Sequence, residues 1–297
     1  MLERTAVAQR AETIAADDEL PAISDRVTVI RPASGLLRID LRELWQYREL
    51  AATFAWRDLK VRYKQSLIGA AWAILQPVMT MVVFTFVFGT FAHVPSQGLP
   101  YPVFSYSGLL PWVYFAAALG AASSSLQMNS SLVTKIYFPR VLLPLAAVTV
   151  PAVDFLLACT VLGGFIGYYH LSVGVHALLA PVFMILAAAS ALGVGLVFAV
   201  INVRYRDVPY AIPFVIQIWM FLSPVIYPTN ALHHAWERLI LSLNPMNGVI
   251  TGFRWSLLGT TPPSTLQVLL SVAAAAVFLL VGLAVFRRAE PRFADTI

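Results

Sequence analysis

STLQVLLSVAAAAVFLLVGLAVF, residues 264–286, carries no charged side chain and runs directly into Arg287 and Arg288. An α-helix rises about 1.5 Å per residue, so this stretch covers the roughly 30 Å hydrocarbon core of a bilayer. Basic residues at one end fix such a helix in the membrane, because Lys and Arg flanking a span favour the cytoplasmic side. Working outward, five further apolar runs fall at about 69–92, 103–126, 141–169, 177–203 and 208–229. Several contain proline: Pro77, Pro111, Pro144, Pro151, Pro209, Pro213 and Pro224. In lipid such breaks are tolerated where neighbouring helices or a water-filled cavity satisfy the freed backbone groups, which points to a packed bundle. The expected fold is therefore an all-α integral membrane protein with six transmembrane helices.

The charge distribution supports this reading. Of 297 residues, 59% are hydrophobic and 12% charged, and a soluble domain carries about twice that charge. Residues 1–65 hold 11 of the 20 Lys+Arg and 10 of the 15 Asp+Glu. The remaining 232 positions hold 9 basic and 5 acidic residues, too few to solvate a surface of that size. The net charge of +5 does not indicate nucleic acid, because the 1–65 segment is nearly neutral and the excess flanks apolar runs. The single cysteine, Cys159, allows no intrachain disulfide. No apolar run precedes residue 65, so the first span is expected to serve as its own insertion signal.

Orientation follows from the Lys and Arg near the span ends. Arg57, Lys60, Arg62 and Lys64, then Lys135 and Arg140, then Arg204 and Arg206, then Arg287, Arg288 and Arg292 all share one side if there are six spans. The opposite side has only Arg238 and Arg254. Both termini are thus expected in the cytoplasm, and the protein in the cytoplasmic membrane as a multi-pass chain. His93, His170, His176, His233 and His234 fall on or near the outer side without metal-ligand spacing, so no metal site is expected.

The remaining segments divide the chain. Residues 1–37 read as a loosely ordered cytoplasmic tail and 291–297 as a second, short one. Residues 38–66 read as an amphipathic helix lying along the inner leaflet. Its polar face takes Arg42, Gln46, Glu49, Thr53, Lys60 and Lys64. Its apolar face takes Leu41, Leu44, Trp45, Ala52, Ala55 and Leu59. Residues 67–290 form the membrane domain. Between the last two spans, Ala231–Leu243 and Met246–Leu258 are each too short to cross. They read as two short helices, re-entrant or at the outer interface, separated by Asn244-Pro245.

Chemistry is sparse. The three lysines, Lys60, Lys64 and Lys135, lie in no phosphate-binding glycine loop, and no nucleophile–base constellation is visible. Asp154 is the one acidic residue within the spans. A proton relay would need a titratable neighbour, and the spans supply none, so a structural, hydrogen-bonded role is the favoured reading. The loop Asn129–Arg140 places Tyr137, Phe138 and Pro139 between Lys135 and Arg140. Composition alone leaves two readings open, an interfacial anchor and a docking surface for a cytoplasmic partner. Arg204-Tyr205-Arg206-Asp207 poses the same choice.

Five separated motifs then carry a resemblance. Trp56–Ser66 with Leu67–Pro77, Lys135–Arg140, Arg204–Val208, Ser223–Pro228 and Asn244–Met246 occur in the order and character of the polysaccharide-export ABC transporter permeases. The chain resembles this family over about residues 38–290. The resemblance implies a homodimer of six-span subunits, each docked on a separate ATPase subunit, two copies in all. ATP and magnesium would be bound there and no cofactor by this chain. The substrate would be a lipid-linked polysaccharide, typically on undecaprenyl diphosphate. Lys135, Tyr137, Phe138, Pro139, Arg140, Arg204, Tyr205, Arg206 and Asp207 become coupling contacts. Arg57, Lys60, Arg62 and Lys64 become candidates for attracting the diphosphate. Trp72, Gln76, Gln217 and Trp219 become candidates for lining the channel, and His233, Trp236, Asn244 and Pro245 for an outer gate. The alternatives are a drug exporter of the same fold, a membrane-embedded glycan-modifying enzyme, and a secondary transporter. The enzyme would need a catalytic group at the membrane face. The secondary transporter would need ion-coupling residues and internal repeats.

Overall fold

The helix that the last apolar run forms spans Thr265–Ala289. Ser264 caps it by accepting a hydrogen bond from the Gln267 backbone N–H at 3.2 Å. The computed structural model describes residues 41–64, 69–205, 207–229 and 241–293. The expected tail 1–37, Ser66, Arg206, His233, Trp236 and most of the first short outer segment lie outside the described residues.

Among the described residues all regular structure is helical. In chain order these are α1 (Leu41–Gln46), α2 (Arg48–Lys64), α3 (Ala71–Phe84), α4 (Tyr101–Met128), α5 (Ser130–Lys135), α6 (Leu142–Tyr168), α7 (Ala180–Arg204), α8 (Val208–Phe221), α9 (Pro245–Leu258) and α10 (Thr265–Ala289). α3 continues as a π-helical stretch to Phe91, and a 3-10 turn at Val175–Leu179 leads into α7. Five helical segments are long and apolar enough to cross a membrane: Ala71–Phe91, Tyr101–Met128, Leu142–Tyr168, Val175–Arg204 and Thr265–Arg292.

The expected span at 208–229 differs. α8 stops at Phe221, after 14 residues, or about 21 Å. Pro224 explains the stop: a proline ring disfavours helical backbone at the preceding residue, and turns follow from Leu222 onward.

Burial orders the bundle. The apolar window of α4 is 67% buried, whereas those of the first and last long segments are each 17% buried. α4 is therefore the central helix, and α3 and α10 present broad apolar faces outward. α7 packs against both α4 and α10. It does so through glycines: a Cβ on Gly195 would lie 2.6 Å from the Cβ of Ala122 in α4, and Gly282 of α10 meets the Gly193 carbonyl. Small residues permit this close approach, which drives helix association where no hydrophobic force is available.

α9 was expected as a short outer helix, and most of its 14 residues are buried. It uses Gly248 and Gly252, four apart on one face. Gly248 sits against Ser271 of α10 and Gly252 against the ring of Phe183 in α7. Asn244 caps its start, and Gly259, at φ 63°, ends it in the left-handed conformation.

A second apolar cluster gathers Phe54, Leu126, Val133, Phe138, Leu142, Leu196, Phe286 and Phe293. These come from α2, α4, α5, the α5–α6 loop, the start of α6, α7, the end of α10 and the residues just after it. One end of the bundle thus collects Lys135, Arg140, Arg204, Arg287 and Arg288. This is the basic end, as the flanking charges require.

Across α1 and α2 the packed face only partly matches the one the sequence suggests. Leu44 and Ala55 of the expected apolar face pack on the basic-end cluster together with Tyr47, Leu50, Ala51 and Phe54, while Trp45 and Ala52 are exposed. The inward stripe follows the 3–4 spacing of a helix laid on protein. Trp45 of α1 and Trp56 of α2 lie outside it and are exposed.

Candidate functional site

The basic end is built around the α5–α6 loop. α5 ends at Lys135, and Ile136 is extended, with φ −128° and ψ 137°. Ile136 and Tyr137 point out, 56% and 63% exposed, and Phe138 points in, 4% exposed, its ring 5.6 Å from that of Phe54. Pro139 is also buried. The loop therefore offers Lys135, Ile136 and Tyr137 at its surface, and Phe138 and Pro139 anchor it from below. Expected as a docking aromatic, Phe138 is instead held in the second cluster, where its ring packs on Phe54.

Arg140 is tied down as well. Its backbone N–H donates to Glu290 Oε1 at 3.2 Å, and its Nη1 donates to the Glu290 carbonyl. Its guanidinium lies 5.9 Å from the centre of the Phe293 ring. Arg287 pairs with the same Glu290 at 3.3 Å. The C-terminal turn Glu290–Arg292 is thereby fastened to the loop. Arg204 lies over the exposed Tyr205 at 5.6 Å, and Asp207 opens α8 without a side-chain cap bond.

Of Arg57, Lys60, Arg62 and Lys64 on α2, two are engaged within the chain. Arg57 pairs with Asp58 at 2.8 Å and donates to Asn129 Oδ1 at 2.6 Å. Arg62 pairs with Asp154 at 2.5 Å, and the Tyr63 hydroxyl donates to the same carboxylate. Lys60 and Lys64 are exposed, Lys60 lying 5.3 Å from the centre of the Trp56 ring. Among the described residues both side-chain partners of Asp154 come from α2, and position 62 reaches α6 only through the fold. Burial, then the hydrogen bond and charge of Asp154, push the Tyr63 phenol up to about 12. Its ordinary value is 10, so the stabilisation this phenol provides is complete below pH 10 and is lost as pH rises through 12.

The latch is asymmetric. Asp154 is 14% exposed and Arg62 46%. Without Asp154, Arg62 turns to water. Without Arg62, a largely enclosed carboxylate keeps only the Tyr63 hydroxyl. Arg62→Ala is therefore expected to cost about 2 kcal/mol and Asp154→Ala about 1 kcal/mol, both discounted for solvent screening. Chemical denaturation of the purified protein measures this, and equal costs would contradict the asymmetry. Asp154→Asn can still accept the Tyr63 hydroxyl and should retain function. Complete loss with normal folding would point to proton transfer instead.

One cavity adjoins this latch, and a second shares a wall with the first. One, of about 340 Å³, is lined by Arg62, Asp154, Gln76, Thr80 and Tyr114. The other, of about 620 Å³, is lined by Gln217, Ser123, Ser124, Asn202 and Pro213. Trp112, Ile216 and Met220 line both, so α4 and α8 form one continuous wall. Gln76 and Gln217 thus face open space. Trp72 is exposed and lines neither cavity. Trp219 also lines neither, because its indole is turned into the bundle. Its ring packs on Phe115 and Phe278, and Nε1–H donates to Asn244 Oδ1 at 2.9 Å.

Asn244 joins α8 to α9. Oδ1 also accepts the Met246 backbone N–H at 3.0 Å. Nδ2 donates to the Leu222 carbonyl at 3.0 Å and to Ser223 Oγ at 2.9 Å. Pro245 fills the first helical position, where no backbone N–H is needed.

An all-helical bundle with polar-edged cavities and a surface loop at its basic end offers a path and a contact surface. The chain is 30% identical over 262 residues to the O-antigen export system permease protein RfbA of Myxococcus xanthus, covering 86% of this chain and 98% of that protein. A Klebsiella pneumoniae protein of the same name is 26% identical over 243 residues, covering 81% of this chain and 92% of the relative. The polysialic acid transport protein KpsM of Escherichia coli is 23% identical over 248 residues, covering 79% and 91% respectively. Residues 49–258, which include nearly all of α2, the α5–α6 loop, both cavity walls and α9, match the ABC-2 type transporter family, and the chain belongs to it.

Proposed function

We propose that this chain is the membrane-spanning subunit of an exporter of a lipid-linked polysaccharide, driven by a separate ATPase subunit. The observation that carries this is the match to an O-antigen export permease along 98% of that relative's length. The chain supplies a path and a coupling surface, and ATP and magnesium are bound by the partner. Two copies of the chain pair, each with its own ATPase, and the outward apolar faces of α3 and α10 leave room for lipid and for the second copy. The protein resides in the cytoplasmic membrane with the basic end inward, by the flanking-charge rule. α8 and the turns that follow it to Thr229 make the sixth crossing, and α9 enters the bundle from the outer side as part of a gate with Asn244 and Pro245.

In this reading α2 lies at the inner interface with Trp45 and Trp56 at headgroup level. Lys60 and Lys64 attract the substrate diphosphate, since Arg57 and Arg62 are already paired within the chain. Gln76 and Gln217 face the glycan path. Lys135, Ile136, Tyr137 and Tyr205 meet the ATPase, and Phe138, Pro139 and Arg140 hold that surface stiff.

Tyr137→Asp tests the coupling surface, because it changes an exposed side chain and leaves the buried anchors in place. In the purified two-component complex, export and transport-linked ATP hydrolysis are expected to fall at least tenfold, with normal yield of the membrane subunit. Such a fall corresponds to at least about 1.4 kcal/mol of lost coupling. Unchanged export and hydrolysis would remove the loop from the coupling surface.

A further inference from the structure

Arg254 is the largest fully buried side chain of the described residues, at 2% exposure. It stands on α9, near the end of the bundle opposite the basic one. Nε donates to Ser107 Oγ at 3.3 Å, and Nη2 donates to the carbonyls of Pro224 at 3.3 Å and Val225 at 3.2 Å. The guanidinium carbon lies 3.8 Å from the centre of the Phe104 ring. These partners take three of its five N–H groups. Among the described residues no ion pair involves it. Carbonyl dipoles and an aromatic face offset part of the desolvation of a guanidinium, but a buried charge ordinarily has a counter-charge.

The place is built for this side chain. A Cβ at Gly108 would meet Nη2, and would lie 3.0 Å from the Val225 carbonyl oxygen. Arg254 also lines a cavity of about 40 Å³, walled by Gln97, Thr229, Thr251, Thr260, Thr261 and Gln267. Gln267 donates its amide to Asn247 Oδ1 and Thr251 Oγ1, which fixes that wall. Among the described residues the lining is a cation with hydroxyls, amides and the rings of Pro262 and Pro263, and includes no carboxylate. A water needs roughly 10–15 Å³ by this measure, so the cavity accepts one ion of chloride size and excludes a sugar ring.

We propose that this cavity binds one small monovalent anion, chloride in ordinary media, as the counter-charge of Arg254. The anion would fix α9 against the turn at Pro224–Val225 by holding the guanidinium between them. The proposal is independent of what the protein transports.

The test uses the full chain purified with its ATPase partner, dialysed into gluconate and titrated with chloride at constant ionic strength. The melting temperature of the membrane subunit should rise by roughly 3 °C and saturate, as binding to the folded state alone requires. Arg254→Gln should abolish the rise. Thr260→Val keeps the guanidinium and removes one hydroxyl, so it should fold and raise the half-saturating chloride several-fold. Bromide soaked into crystals should give an anomalous peak beside Arg254. Identical melting of the unsubstituted protein in chloride and gluconate would overturn the proposal. So would an undiminished chloride response in Thr260→Val together with no bromide peak at Arg254.

Discussion

Gly282→Val should yield almost no folded subunit. The two helices meet here backbone to backbone. A Cβ on Gly282 collides with the Gly193 carbonyl, and a Cβ on Gly193 would stand 2.5 Å from the Leu279 nitrogen and the Phe278 carbonyl carbon. A side chain can rotate aside, but a helix backbone cannot, so α7 and α10 must separate. α7 has no slack in the other direction, because Gly195 is already seated against Ala122 of α4. Overpacking a core costs about 1–3 kcal/mol where side chains can adjust. Here the collision is with main chain at the contact that holds the last span, and about 4 kcal/mol is expected. Gly163→Ala is the control. No atom lies within 4 Å of a Cβ at that position, and alanine in a helix gains up to about 1 kcal/mol over glycine. Denaturation and the yield of monodisperse protein in detergent compare the two. Equal stability of Gly282→Val and Gly163→Ala would show that α7 and α10 do not depend on this crossing.

The contrast between these glycines marks what a sequence can show in a membrane protein. Run length and flanking charge identified the segment ending at Arg287 and Arg288, because lipid imposes both. The same logic found the shared end of Lys135, Arg140 and Arg204. It did not separate Gly163 from Gly282, since which side of an apolar helix meets a neighbour leaves no polar trace. The Gly248–Gly252 spacing of α9 was a legible signal for close packing. The end of α8 at Phe221 was legible in Pro224, once length was set aside as the only criterion. The Arg62–Asp154 pair and the Trp219–Asn244 bond were not legible, because each joins residues far apart in the chain. Phe138 illustrates a third limit: hydrophobic residues in a short loop serve as contact or as anchor according to a backbone path that composition does not record.

Asn244→Ala is expected to loosen the junction of α8 and α9 by about 3 kcal/mol. One side chain there makes four hydrogen bonds, two accepted and two donated. Loss of a helix cap alone costs about 1 kcal/mol. Alanine also leaves the Trp219 indole N–H without an acceptor between Phe115 and Phe278, and a partly buried orphan donor adds about 1–3 kcal/mol. Asn244→Asp separates the two functions. Its carboxylate accepts from Met246 and Trp219 and stands favourably at a helix N-terminus. It cannot donate, so its second oxygen faces the Leu222 carbonyl, while Ser223 can reorient its hydroxyl. Asn244→Asp should therefore fall between the native protein and Asn244→Ala. Trp219→Phe keeps the ring packing and removes the donor. In a double-mutant cycle with Asn244→Ala it should show a coupling of about 1 kcal/mol. If Asn244 joins the limbs of an outer gate, loss of export should follow the same order, alanine before aspartate. Zero coupling with Trp219, or equal stability of the alanine and aspartate variants, would mean that the junction is held by the helices alone.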